Sequence, residues 1–298
     1  MKSKKHSITI LTPTYNRVHT LNKLYESLCK QTNKNFEWMV IDDGSNDNTE
    51  ELILKFIEQN KIKIKYFKKK NGGKHTAINF GLKNIKSEYV FILDSDDFLS
   101  NDAIQIMNDY ILKYQDNKGI ACFSFLKAYT DKTIVGKKHY NNETISNNID
   151  FRYNQGYLGD MAELFKTSIL KKYPFPEFAG EKFLSECYVW NNIALKYNTV
   201  YINKIIYYCE YLDDGLSKGW FKQVVNSPKG ARLNSMLFMN KKFIFKIRLK
   251  NCIEYGVFSF LSNSRIMSES KMKFFSIVFY IPCFIISLYL KKKYKEKL

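Results

Sequence analysis

Residues 89–97, Tyr-Val-Phe-Ile-Leu-Asp-Ser-Asp-Asp, constrain this chain more than any other stretch. Five apolar residues in a row, rich in β-branched and aromatic side chains, read as a strand buried on both faces. Asp94, Asp96 and Asp97 follow at once, and Ser100-Asn101-Asp102 then signals the start of a helix. A buried strand ending in clustered acid delivers negative charge to the carboxyl edge of a sheet, where open α/β folds hold their ligands. Acids this close repel one another unless a cation sits among them. A divalent metal holding a phosphorylated substrate meets that need, because Mg²⁺-like ions usually take one or two carboxylates plus phosphate oxygens. The competing reading is an acidic helix N-terminus on the surface.

The residues before this stretch repeat one scheme. A β-branched strand at 7–12 is broken by Pro13 to Arg17, and Leu21, Leu24, Tyr25 and Leu28 then recur at helical spacing. A second strand at 36–41 runs into Asp42-Asp43-Gly44-Ser45. Asp47 and Glu50 have the spacing of a capping box for the next helix. A third strand at 62–67 alternates lysines with apolar residues, as an edge strand would, and a short helix is predicted from about Thr76 to Asn84. Strands alternating with helices imply a mostly parallel sheet with right-handed crossovers. Neither G-x-G-x-x-G nor G-x-x-x-x-G-K-[ST] occurs, so the dinucleotide and P-loop readings lose their main support.

In this order, Thr12-Pro13-Thr14-Tyr15-Asn16-Arg17, Val40-Ile41-Asp42-Asp43-Gly44-Ser45-Asn46-Asp47 and Leu93-Asp94-Ser95-Asp96-Asp97 resemble the family 2 glycosyltransferases with the GT-A fold. The likeness spans residues 7–116 and continues more loosely to about 219. It implies a Rossmann-like α/β domain at 1–219, with a nucleotide-sugar-binding half at 1–116 and an acceptor-binding half at 117–219. It also implies that Thr12, Pro13, Thr14, Tyr15 and Asp42 hold the nucleotide, with Asp43 beside them; a carboxylate suits uracil because it accepts the ring N–H. Asp94 and Ser95 are expected near the ribose, and Asp96, with Asp94, on a Mn²⁺ or Mg²⁺ ion bridging the diphosphate. Lys74 and Asn79 fall where family members contact the nucleotide, although Ala77-Ile78-Asn79 stands where many relatives carry Ala-Arg-Asn.

Direct displacement at an anomeric carbon needs a carboxylate near the acceptor hydroxyl. Glu186, ahead of an apolar helix-like run at 188–195, resembles the place where the family keeps its base; Asp160 is the second candidate and Glu181 the third. Residues 120–130 read as a strand, 133–148 as a polar hairpin or loop, and 207–220 as a mobile loop offering Lys218 and Trp220. His75 and His139 read as surface or loop residues, since nothing near them has metal-ligand spacing. No Q-x-x-R-W element follows Glu186, which favours single over repeated transfer.

The charge is uneven. Of 47 basic and 29 acidic residues, giving +18, the part from Gly215 on holds 17 basic and only 3 acidic. This tail, 220–298, interleaves cations with apolar residues, a pattern suited to helices on an anionic membrane surface. Residues 274–290 carry no charge and are framed by Lys271, Lys273 and Lys291-Lys292-Lys293. As one helix they would reach about 26 Å, short of the roughly 30 Å hydrocarbon core. Pro282 lies mid-way, so a shallow or re-entrant anchor is favoured over a crossing one, with a buried helix or self-association contact as the soluble alternative. The six cysteines lack C-x-x-C spacing and are expected as free thiols in a reducing compartment.

The expected function is an inverting, metal-dependent transfer of a sugar from a nucleoside diphosphate, UDP by preference, to a saccharide or lipid-linked saccharide for a surface polysaccharide. It is expected at the cytoplasmic face of the plasma membrane, without a nucleic-acid partner. The alternatives are a non-catalytic membrane-bound nucleotide or glycan binder, and a nucleotidyltransferase.

Overall fold

The computed structural model describes residues 6–209, 216–266 and 269–294, with the side chains of 216–218 left aside. They form two compact units. The first comprises the chain up to Asn147, Tyr157–Pro174 and the segment from Lys196; the second comprises Asn148–Gly156, Phe175–Leu195 and the C-terminal helices.

In the first unit the elements are β1 (Ile8–Thr14), α1 (Leu21–Cys29), β2 (Phe36–Asp42), α2 (Thr49–Gln59), β3 (Ile64–Lys68), α3 (Lys74–Asn84), β4 (Tyr89–Ile92), β5 (Phe98–Leu99), α4 (Ala103–Tyr114), β6 (Ile120–Tyr129), β7 (Glu143–Ser146), β8 (Met161–Lys166), α5 (Thr167–Leu170) and, beyond the second unit's α6, β9 (Asn198–Cys209). The sheet order is β3-β2-β1-β4-β8-β6-β9-β5, with β7 paired to β9. β3, β2, β1 and β4 are mutually parallel, and β8 is antiparallel to both neighbours. The apolar runs of β1, β2 and β4 are buried between helices, with Ile10, Trp38, Val40 and Phe91 at 0% exposure. Such near-continuous apolar strands are what a doubly covered parallel sheet requires.

Several local expectations change. β1 runs through Pro13 to Thr14 on the β2 side; β4 pairs with it only as far as Leu11, so the missing Pro13 N–H disturbs no bond to β4. The capping box does not form: α2 has Asn48 at its N-cap without a side-chain bond. Asp47 instead accepts the Val18 and Thr49 N–H groups, tying the loop after β1 to the loop after β2. His75 and His139 are buried, not at the surface. Tyr207 belongs to β9 and Trp220 to a helix, not to one loop; residues 210–215 and the Lys218 side chain lie outside the described residues.

The second unit is helical: a π-helical turn at Ile149–Asn154, α6 (Cys187–Ala194), α7 (Leu216–Asn226), α8 (Pro228–Phe238), α9 (Phe245–Leu261), α10 (Lys273–Val278) and α11 (Tyr280–Tyr294). Val225, Val257, Phe258 and Leu261 form one of its cores with Cys283 and Leu290. The 274–290 run is not one helix. It breaks at Phe279, and Pro282 falls in the first turn of α11, where a missing N–H costs little. No helix among the described residues is long and apolar enough to cross a membrane. The six cysteines are free.

Candidate functional site

The acid loop 93–97 is fixed at both ends by the sheet. Leu93 N–H donates to Leu11 O at 3.0 Å as the chain leaves β4, and two residues of β5 then pair with β9, Leu99 opposite Tyr207. Inside the loop Asp97 N–H donates to Asp94 O at 3.2 Å, and Thr20 Oγ1 donates to Ser95 O at 2.8 Å. The three acids therefore sit on a held turn at the carboxyl edge of β4. Asp42 closes β2 at the same edge, with β1 between them.

Their environments differ. Lys74 Nζ lies 2.5 Å from Asp94 Oδ1. Burial alone would raise Asp94, but Lys74 and Lys127 outweigh it and hold the carboxyl below the usual range. Asp96 is raised by burial and then by Asp94, with Arg17 and Lys74 opposing. Burial and the Asp94 charge push Asp97 up to about 7 despite Lys127 and a hydrogen bond from Tyr207. Lys74 and Lys127 thus compensate Asp94, while burial and the Asp94 charge disfavour ionisation of Asp96 and Asp97.

Three residues that sequence reasoning did not single out for the site organise it. Lys127 of β6 is buried; its Nζ is 2.7 Å from Asp160 Oδ2 and 4.2 Å from the Tyr207 ring centroid. Burial disfavours its charge, yet Asp160, Asp94 and Asp97 raise its pKa well above normal. A fixed cation thus underlies the acids. The Tyr207 hydroxyl donates to Asp97 and accepts from the Asp94 amide. Arg17 adds a charge facing Asp96. The available signal was a lone charged residue, Lys127, in the largely apolar run 120–129, since a charge in a buried strand is retained only when paired.

Around the loops after β1 and β2, Asp42 is wholly buried, accepting Ser45 N–H at 2.7 Å and the Tyr66 hydroxyl at 2.7 Å. Asp43 is bound by Lys69 Nζ at 2.6 Å, by the Gly73 N–H at 2.7 Å and by the Gly72 N–H, which orders the 69–73 loop leading into α3. Gly44, at φ +84°, makes this turn possible; a Cβ there would meet Asn71 N at 2.9 Å. Thr12 Oγ1 accepts from Trp38 Nε1. The Thr14 hydroxyl is buried and has no hydrogen-bond partner among the described residues, so it has donor and acceptor capacity left over. Tyr15 is exposed, while Asn79 on α3 and Ser95 are buried.

Asp160, just ahead of β8, is solvent-accessible and belongs to the first unit with the acid loop. Nearby protein strips part of the water from its carboxyl, which would raise it, but Lys127 holds it below the ordinary range. Glu186 belongs to the second unit and stands at the N-cap of α6, its backbone carbonyl accepting from Val189 and Trp190. Glu181 caps α8, accepting the Lys229 and Gly230 N–H groups at 2.8 and 2.9 Å, which accounts for that acid structurally.

Asp94 and Asp96 offer carboxylates to a divalent ion; no group of three or more His, Cys, Asp or Glu among the described residues is arranged for one. The pair suits an ion that completes its shell with substrate phosphates and water. Burial and then the Asp94 charge disfavour ionisation of Asp96, and a cation between the two carboxylates would relieve that cost.

A mixed α/β sheet with acids at the carboxyl ends of its parallel strands defines the class. Residues 9–173 match the model of glycosyl transferase family 2, and the chain belongs to that family. It is 36% identical over 131 residues to an uncharacterized glycosyltransferase of Rickettsia felis, covering 44% of this chain and 20% of that protein. It is 37% identical over 108 residues to glycosyltransferase GlyA of Streptococcus pneumoniae, covering 36% of this chain and 15% of GlyA. With the poly(ribitol-phosphate) beta-N-acetylglucosaminyltransferase TarP of Staphylococcus aureus it shares 37% over 105 residues, 35% of this chain and 32% of TarP. The matched stretches thus span well under half of these relatives' lengths.

Among solved structures, S. aureus TarS 1-349 in complex with UDP-GlcNAc superposes with a TM-score of 0.61 at 22% identity, over 95% of this chain and 79% of that one. The mannosyltransferase PcManGT from Pyrobaculum calidifontis, in complex with GDP-Man and Mn²⁺, gives 0.60 at 16% identity, over 99% and 89%. These likenesses establish a GT-A-like fold.

Proposed function

We propose that this chain is an inverting glycosyltransferase that moves a sugar from a UDP donor to a saccharide or lipid-linked saccharide during synthesis of a surface polysaccharide. The observation that carries this reading is the acid loop held at both ends, with Asp94 and Asp96 on the edge shared with Asp42. The N-acetylglucosaminyl transfer for which TarP is named and the UDP-GlcNAc bound to TarS support the donor class.

In this reading Thr12, Pro13, Thr14, Tyr15 and Asp42 line the nucleotide site, and the Thr14 hydroxyl provides unspent hydrogen-bonding capacity. Asp43 works at one remove by shaping the 69–73 loop that presents Lys74. Lys74 is a cation able to leave Asp94 for a phosphate oxygen, and Asn79 and Ser95 support the same surface. Asp96 and Asp94 would hold Mn²⁺ or Mg²⁺, which when bound neutralises charge on the departing nucleoside diphosphate. The base is Glu186. Asp160 ranks second because Lys127 makes it a weaker proton acceptor.

The C-terminal region would hold the enzyme at the inner face of the plasma membrane, beside its acceptor. The test is incubation with a panel of UDP-sugars and Mn²⁺, following UDP release and sugar transfer. Neither binding nor slow hydrolysis with any donor would overturn the reading, and pyrophosphate as the product would make the protein a nucleotidyltransferase.

A further inference from the structure

The helices α10 and α11 are built inside out. The side chains they bury are Ser276, Cys283, Ser287 and Leu290, small or polar for the most part. Cys283 fits against Gly256 of α9, where an added Cβ would come within 2.7 Å of its sulfur. The outward stripe is the apolar one: Phe274 is 69% exposed, Ile281 68%, Ile285 60% and Leu288 51%, with Ile277 beside them. On α11, Ile281, Ile285 and Leu288 follow at i, i+4 and i+7, and Cys283, Ser287 and Leu290 repeat the same spacing on the buried side. A helix at a water interface places its residues the other way round.

Charge selects what covers the stripe. Exposed Lys271 and Lys273 stand before it and exposed Lys291, Lys292 and Lys293 after it, and no acid occurs from Ser270 to Tyr294. A second copy would bring the same lysines and no carboxylate to meet them. Anionic headgroups match both ends at once. The 15 residues of α11 reach about 22 Å, less than the roughly 30 Å needed to cross, and lysines at both ends hold it level with the headgroups.

We infer that the outward face of α10 and α11 docks in the plane of an anionic lipid bilayer, its aliphatic side chains entering the boundary between headgroups and acyl chains and its terminal lysines meeting lipid phosphates. The inference rests on the membrane part of the proposed function and not on the sugar-transfer part. It specifies the face, its orientation and the class of lipid.

The test is co-sedimentation of the full chain with phosphatidylcholine vesicles with and without phosphatidylglycerol, with UDP binding measured on the same preparations. Binding is expected to require phosphatidylglycerol and to weaken with salt. Ile281→Glu/Ile285→Glu/Leu288→Glu, at positions already exposed, is expected to weaken it by about a hundredfold or more. Lys291→Gln/Lys292→Gln/Lys293→Gln is expected to weaken it roughly ten- to hundredfold and to flatten the salt dependence. UDP binding retained in both variants would separate this surface from the nucleotide site, and loss of UDP binding in the unaltered protein would sink the transferase reading alone. The inference is overturned if the full chain ignores anionic vesicles, if the triple glutamate variant binds them unchanged, if it instead dissolves a dimer that exists without lipid, or if duplex DNA is bound and vesicles are not.

Discussion

The Tyr207 hydroxyl donates to Asp97 Oδ2 at 2.6 Å and at the same time accepts the Asp94 amide at 3.1 Å. One phenol on β9 therefore sets the shape of a loop that lies 110 residues earlier in the chain. Both partners are drawn from the turn that presents Asp96, so a small change at Tyr207 is transmitted to that acid without any direct contact.

Tyr207→Phe removes the hydroxyl and little else. It leaves a buried carboxylate short of a donor and an amide without its acceptor, at a cost of about 1–3 kcal/mol in denaturant unfolding. Donor turnover should fall together with this loss, and the metal concentration giving half-maximal activity should rise, because the turn that presents Asp96 loosens. Unchanged metal dependence in a stable Tyr207→Phe protein would count against the phenol as a positioning residue.

Glu37 gives a pH dependence separate from the candidate site. On β2 it accepts from Thr9 at 3.2 Å and pairs with Lys63 and Lys65, both at 3.0 Å. Burial pushes its carboxyl up, but hydrogen bonds from the two lysines outweigh that and lower it below 4.5. The folded state thus favours the ionised form. Its contribution is complete above the unfolded value and is lost as pH falls from about 4.5 through the lower folded value. Glu37→Gln should be less stable at neutral pH, by about 1–3 kcal/mol, and should lose less stability than the unaltered protein between pH 5 and roughly 3. Parallel stability curves across that range would refute the assignment.

The legible part of this fold was the part in which one segment carries its own pattern. β1, β2 and β4 are apolar runs ending in turn residues or acid, and β3 advertised its edge position through alternating lysines, which the sheet order bears out. β8 was not visible as a strand, because Met161-Ala-Glu-Leu-Phe-Lys is short and mixed, although it lies between β4 and β6 in the middle of the sheet. β5 has only two residues and exists because β9 is there to pair with. The glycines and aspartates at 213–219 made Tyr207 look like part of a loop, whereas its partners Lys127 and Leu99 are distant in sequence. The acids could be found from sequence, while the cation and the phenol that arrange them depend on tertiary pairing.

Lys127 is the cation whose loss should be felt most widely. Lys127→Met keeps the bulk and removes the charge that faces Asp160, Asp94 and Asp97. Asp160 can turn to water, but Asp97 is buried and would be left with its acidic neighbours, so protonation of the cluster should shift to higher pH. The activity of Lys127→Met should therefore fall on the acidic side at a higher pH than that of the unaltered protein, with a smaller deficit under alkaline conditions. Because Asp160→Asn removes one of the opposing acids and keeps the cation, its profile should move the other way. Coincident pH–rate profiles for the two variants would show that Lys127 serves packing only.

The two candidate bases can be separated by what each substitution leaves intact. General-base catalysis is worth about 10²–10⁴ in rate, so Glu186→Gln should lower transfer by that factor. UDP-sugar binding should stay near normal, since the nucleotide residues named above all belong to the other compact unit. Asp160→Asn should retain more transfer than Glu186→Gln, because Lys127 already holds Asp160 in its ionised form and makes it a poorer acceptor of the hydroxyl proton. Asp96→Asn should instead weaken donor binding in the presence of Mn²⁺ and leave metal-free UDP binding comparatively unaffected. Full transfer by Glu186→Gln with none by Asp160→Asn would exchange the two roles, and the weak basicity of a lysine-paired aspartate would then have to be relieved by displacement of Lys127 when substrate binds.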